Sequence, residues 1–117
     1  MTSHIRSLVL SILIVFQLPG CWYQSKNDVR RDLNATEVQF NPPPGTYTEP
    51  LDVVMRVSSS KLKSVFIQVQ NPNGSWDSYR SPVHIGSSMT LRYRLVYVSD
   101  MKVEGDERTA EYVITGR

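Results

Sequence analysis

From Leu51 onward apolar residues recur at every second position in short runs, each closed by residues that favour turns. That period of two is the mark of strands with one buried face. Leu51 to Ser58 places Leu51, Val53, Met55 and Val57 on one side and Asp52, Val54, Arg56 and Ser58 on the other. Ser64 to Gln70 repeats the pattern, with Val65, Ile67 and Val69 inward and Phe66, Gln68 and Gln70 outward, and Asn71, Pro72, Asn73 and Gly74 supply the turn that ends it. Thr90 to Ser99 sets Leu91, Tyr93, Leu95 and Tyr97 against Arg92, Arg94, Val96 and Val98. Val38 to Phe40, Pro82 to Ile85 and Glu111 to Thr115 read as shorter strands. Three consecutive prolines, Pro42 to Pro44, cannot donate to a ladder, so they belong at an edge or outside a sheet. The expectation is an all-β antiparallel sandwich of six or seven strands over residues 38–117, with no helix.

A different pattern precedes it. Leu8 to Leu18 is an apolar run broken only by Ser11 and Gln17, following a start that carries Arg6. It is too short for a helical bilayer span, which needs about 20 residues, and its length suits the core of a secretory signal. The run closes on Leu18, Pro19, Gly20 and Cys21. These residues resemble the bacterial lipoprotein signal, read as Leu-x-Gly-Cys, with Pro19 where a smaller residue is usual. The resemblance implies cleavage after Gly20 and a diacylglycerol thioether on Cys21, which would become the anchor. The organisation expected is a signal peptide over 1–20, a lipidated cysteine and flexible tether over 21–37, and the sandwich over 38–117. The tether segment WYQSKNDVRRDLNATE mixes charges with scattered aliphatics, and a flexible chain of that length reaches roughly 20 to 25 Å. Trp22 and Tyr23 either sit at the lipid interface, which suits amphipathic rings, or are incidental to the linker.

Cys21 is the only cysteine of the chain. With its sulfur acylated, the exported domain has no disulfide, no thiol nucleophile and no thiolate metal ligand, and must hold by its core alone. Removal of the signal leaves 12 Lys and Arg against 11 Asp and Glu. Such a balance gives no reason to expect nucleic acid as a partner.

The order of the strands is similar to that of the chitobiase/β-hexosaminidase carboxy-terminal module, an immunoglobulin-like accessory domain. The opening "FNPPPGTYTEPLDVVMRV" matches its Pro-x-Gly-x-Tyr start and valine-rich strand, and Asn73, Gly74 and Ser75 stand in its Asp-Gly-Ser turn. Tyr79, Pro82, Val83 and Ile85 fit its Tyr-x-x-Pro-Ile-x-Ile segment, "MTLRYRL" echoes its Thr-Thr-Leu strand, and Tyr112 and Ile114 its final Tyr-x-Ile. Gln68 and Gln70 depart from the family's Tyr-Thr pair, and Pro72 lengthens the turn. The resemblance implies an immunoglobulin-like β-sandwich acting as an accessory domain, without catalytic residues.

Candidate chemistry is sparse. After cleavage His84 is the only histidine, in the short strand "PVHI", where an outward position or a bridge to a neighbour outweighs a role as general base. One histidine and no free thiol argue against zinc, and no cofactor or metal is expected. The stretch Glu104, Gly105, Asp106, Glu107 lacks the alternating oxygen ligands of a calcium loop and reads as a hairpin loop. Trp76 and Tyr79 flank a turn containing Asn73; two rings there can stack on sugars while Asn71, Asn73 and Gln70 bond hydroxyls. The same rings can pack the domain, which is the weightier reading. Arg92 and Arg94 either meet an anionic partner or are satisfied by acids on the next strand. The function expected is non-enzymatic: a module held to an envelope membrane by its lipid, the outer one being the default, that contacts a glycan such as peptidoglycan or, alternatively, docks a protein or serves as a spacer.

Overall fold

The computed structural model describes residues 25–115; the signal segment and Cys21 lie outside them. One helix and nine strands follow in order: α1 (Lys26–Ala35), β1 (Glu37–Asn41), β2 (Gly45–Tyr47), β3 (Leu51–Ser59), β4 (Val65–Gln70), β5 (Trp76–Ser78), β6 (Val83–Ile85), β7 (Met89–Val98), β8 (Lys102–Glu104) and β9 (Arg108–Ile114). They form a β-sandwich. One layer is a three-stranded sheet in the order β1-β3-β6, and the other is six-stranded, in the order β2-β9-β7-β4-β5 with β8 also on β7. All pairings are antiparallel except β2 with β9.

The alternation read from the sequence holds for the inward positions, with one exception on the other face: Val96, expected outward with Arg92 and Arg94, is buried there. Val53 and Met55 in β3, Ile67 in β4 and Leu91, Tyr93 and Leu95 in β7 are buried between the layers, with Ile85, Ala110 and Tyr112 from β6 and β9. The strands are more numerous than six or seven because of β2, β5 and β8, three-residue pieces too short to show an alternation of their own. Pro42 to Pro44 fall between β1 and β2, where the chain crosses from one sheet to the other, so their missing N–H groups cost no ladder bond. The acidic stretch is a loop but not a hairpin. β4 occupies one edge of β7, so β8 and β9 lie end to end along the other, and Gly105 to Glu107 interrupt what is otherwise one line of pairing. The hairpin turn itself is Ser99 to Met101, where the Ser99 amide donates to the Met101 carbonyl at 3.0 Å.

The segment expected to be a flexible tether is largely α1. Ser25 caps it, its hydroxyl accepting the Asp28 amide at 3.2 Å. Val29 and Leu33, one helical turn apart, are wholly buried in the core. The helix therefore lengthens the three-stranded layer, closing the interlayer space over β7 and β8 where that sheet ends. Two further features hold it. Arg108 donates to the Leu33 and Thr36 carbonyls, both at 2.7 Å, satisfying groups that a helix C-terminus leaves open. Asn34 accepts the Asp106 amide at 2.8 Å and donates to the Asp106 carboxylate at 3.0 Å. Gly105 permits this approach: a Cβ there would meet Asn34 Oδ1 at 3.0 Å and the Leu95 carbonyl at 3.1 Å.

Candidate functional site

The sugar platform anticipated at Trp76 and Tyr79 does not assemble. Trp76 pairs with Gln70, whose side chain faces outward, so its ring lies on the outer face of the six-stranded sheet. Tyr79 turns the other way. It packs against the interlayer core, and its hydroxyl oxygen accepts the Met55 amide of β3 at 3.1 Å, bridging the two sheets along one side. The rings are thus divided between surface and core.

Trp76 has its own partner. The Arg94 guanidinium carbon stands 4.2 Å from the indole centroid, a cation–π contact. Arg94 Nε also donates to Gln68 at 2.8 Å and its Nη2 to Glu104 at 3.3 Å, leaving its side chain only 17% exposed. Arg92 donates to Glu107 at 2.9 Å. Both arginines offered as a partner face are therefore matched by acids, Glu104 on β8 and Glu107 in the loop that follows it.

Asn73 is spent on its own turn. Its Oδ1 accepts from the Ser75 amide at 3.0 Å and the Ser75 hydroxyl at 2.7 Å, while Gly74 takes φ 93° and donates to the Asn71 carbonyl at 2.9 Å. Asn71 holds Ser75 and Asp77, and Gln70 donates to the Gly74 carbonyl. The loop is closed by internal bonds that a sugar would have to replace.

His84 sits on the outer face of the small sheet opposite Asp52, Nδ1 2.8 Å from Oδ1, with both side chains about two-thirds exposed (69% and 67%). This cross-strand pair is the bridge to a neighbour anticipated for that residue. Exposure leaves it no walled cleft in which to activate a nucleophile. Among the described residues no group of three or more His, Cys, Asp or Glu is placed to hold a metal ion. Among them, too, no helix is long and apolar enough to cross a membrane.

A different surface comes from topology. β6 pairs only with Leu51 to Val53 of β3, while β1 runs along the opposite edge as far as Ser59. Beyond Val53, the edge of β3 that faces away from β1 has no strand beside it among the described residues. The Met55 amide points to that side, where it meets Tyr79, so by alternation the Val57 amide and carbonyl point there as well. β4 is likewise uncovered ahead of β5, which pairs only with Gln68 to Gln70. Between the two edges lies a groove of about 430 Å³ lined by Met55, Val57, Val65, Ile67 and Tyr79, with Phe66, Arg56 and Arg80 at its rim. A second hollow, about 510 Å³, lies over Gln39, Phe40 and Val54 on the small sheet and also touches Arg56. Sequence reasoning missed this edge because the neighbour of a strand is not written in the strand.

Comparison with known protein families, characterised proteins and solved structures finds no match to this chain.

Proposed function

We propose that this protein is a non-catalytic, lipid-anchored module of the bacterial envelope that works by docking another protein. The anchor rests on Leu18, Gly20 and Cys21 behind the apolar run Leu8 to Leu18. The binding role rests on one structural observation: the two rings a glycan platform needs are separated, Tyr79 in the core and Trp76 beneath Arg94, while an apolar sheet edge stands open. Protein docking is therefore preferred to glycan contact, the alternative carried by the resemblance to the chitobiase-type accessory module.

Two measurements on cells making the full-length chain test this. Labelling with an alkyne fatty acid is expected to mark the wild type and not Cys21→Ser, which moves from the membrane to the soluble fraction. In-cell cross-linking is expected to give a discrete protein adduct, and isolated peptidoglycan to retain none of the chain. Retention on peptidoglycan that Trp76→Ala abolishes would overturn the docking reading and restore the glycan one. Equal labelling of Cys21→Ser would overturn the anchor.

A further inference from the structure

We infer that the open edge of β3, from Met55 to Val57, is a strand-addition site for an acidic, extended segment of a protein partner. This names the surface behind the docking role proposed above and rests on it.

Three observations converge. The first is backbone geometry. A peptide laid along β3 would find the Met55 carbonyl and the Val57 amide and carbonyl facing it, the Met55 amide being taken by Tyr79. Main-chain bonds of this kind give affinity in β-augmentation, and pockets for alternate side chains give specificity. The second is the groove. Met55 and Ile67 are buried at its floor, Val57, Val65 and Tyr79 are half-buried in its walls, and Phe66 is 53% exposed beside it. Apolar side chains on every second residue of the added segment would cover these.

The third is charge. The groove residues include Arg56 and Arg80 and no carboxylate. Arg56 donates to the neutral side chain of Gln39 at 2.7 Å, and Arg80 has no carboxylate partner among the described residues. The loop joining β3 to β4 adds exposed Lys63, also without a carboxylate partner among those residues, whereas Lys61 lines a separate hollow beside Asp32 at the end of α1. On β7, by contrast, Arg92 and Arg94 both have acids beside them. Cations left uncompensated along an open edge select an acidic strand. They also oppose pairing with a second copy, which would bring the same cations face to face.

The test uses the full-length chain in non-ionic detergent and two fluorescent peptides, one alternating glutamate with valine and one alternating lysine with valine. The acidic peptide is expected to raise anisotropy, to bind less well at high salt, and to slow hydrogen exchange of the Val57 amide. Arg56→Glu with Arg80→Glu, both at exposed positions, is expected to weaken the acidic peptide by roughly tenfold or more and to favour the basic one. Val57→Pro removes the edge amide without touching a β1 bond and is expected to abolish binding of the acidic peptide.

Equal binding of the two peptides, binding that survives the double charge reversal, or the absence of acidic-peptide binding overturns the proposal. So does a concentration-dependent dimer that neutralisation by Arg56→Gln with Arg80→Gln promotes, since the cations would then serve only to guard the edge. An in-cell cross-linked adduct that persists when the acidic peptide fails would remove this edge and leave the docking role standing. Loss of both would remove the docking role too.

Discussion

Among the described residues Tyr112 is the largest fully buried side chain, and its hydroxyl donates to the Pro42 carbonyl at 2.7 Å. Burial, and secondarily the neighbouring phenols of Tyr47 and Tyr93, push its pKa from 10.0 up to about 12. The sign follows from which state ionises first. Below pH 10 the phenol is protonated in both states and its stabilising contribution is whole. Between pH 10 and 12 the unfolded chain loses the proton and the folded one keeps it, so stability falls, by about 3 kcal/mol at 1.36 kcal/mol per unit. Urea unfolding across that window should show the fall in the wild type and lack this residue's share of it in Tyr112→Phe. At neutral pH the same variant should lose about 1 kcal/mol, the net worth of one hydrogen bond. Tyr79 offers a second reading of this kind. Tyr79→Phe keeps the ring in the core but strips the Met55 amide of its acceptor, and about 1 kcal/mol should again be lost by the same measurement.

At the scale of the element, α1 is the piece whose role differs most from its sequence. A tether residue cut to alanine costs nothing, whereas Leu33→Ala should cost about 2 to 4 kcal/mol because it empties a wholly buried site. Gly105→Ala should cost about 1 to 3 kcal/mol, since its methyl group would press on Asn34 and the Leu95 carbonyl and lift the helix from β7. Urea midpoints check both, and hydrogen exchange over Lys26–Ala35 should rise in each. The β-strands were legible because each carries its own alternation: Val53 and Met55, or Leu91, Tyr93 and Leu95, report their face without help from a neighbour. The helix was not, because it presents only Val29 and Leu33 to the core, and two aliphatics among polar residues make no periodic signal. Its one local mark is Ser25 three residues before Asp28, a capping spacing, while the groups that fix its far end, Arg108 and Asp106, lie more than 70 residues away in sequence. The division of Trp76 from Tyr79 could have been foreseen. Residues three apart in extended chain face opposite ways. The acids that hold Arg92 and Arg94 follow from how β7 lies against β8 and β9, and no single strand states that register.

For the whole molecule, the helix shortens the leash. If Cys21 carries the lipid, only four chain steps separate it from Ser25, the cap of α1. At 3.3 to 3.6 Å per residue the span is at most about 14 Å, against the 20 to 25 Å expected of a flexible segment ending at residue 37. The sandwich is then held against the membrane surface, and any docking partner has to reach it there. The chain has two tryptophans, Trp22 next to Cys21 and Trp76 on β5, so each can be observed alone. β5 is the strand of its sheet farthest from β9, separated from β8, against which α1 packs, by β4 and β7. Strands stand about 4.8 Å apart, so β5 lies some 14 Å across the sheet from β8, and the Trp76 ring is on the face away from the helix. In vesicles containing brominated lipids, the full-length Trp76→Phe variant, which reports Trp22, should be quenched, and Trp22→Phe, which reports Trp76, should keep its fluorescence. Quenching of Trp76 alone would place the outer face of the six-stranded sheet against the lipid and overturn the orientation argued from the leash. Absence of quenching at both positions would mean that residue 22 is not held at the bilayer, and the anchor at Cys21 would fall with it.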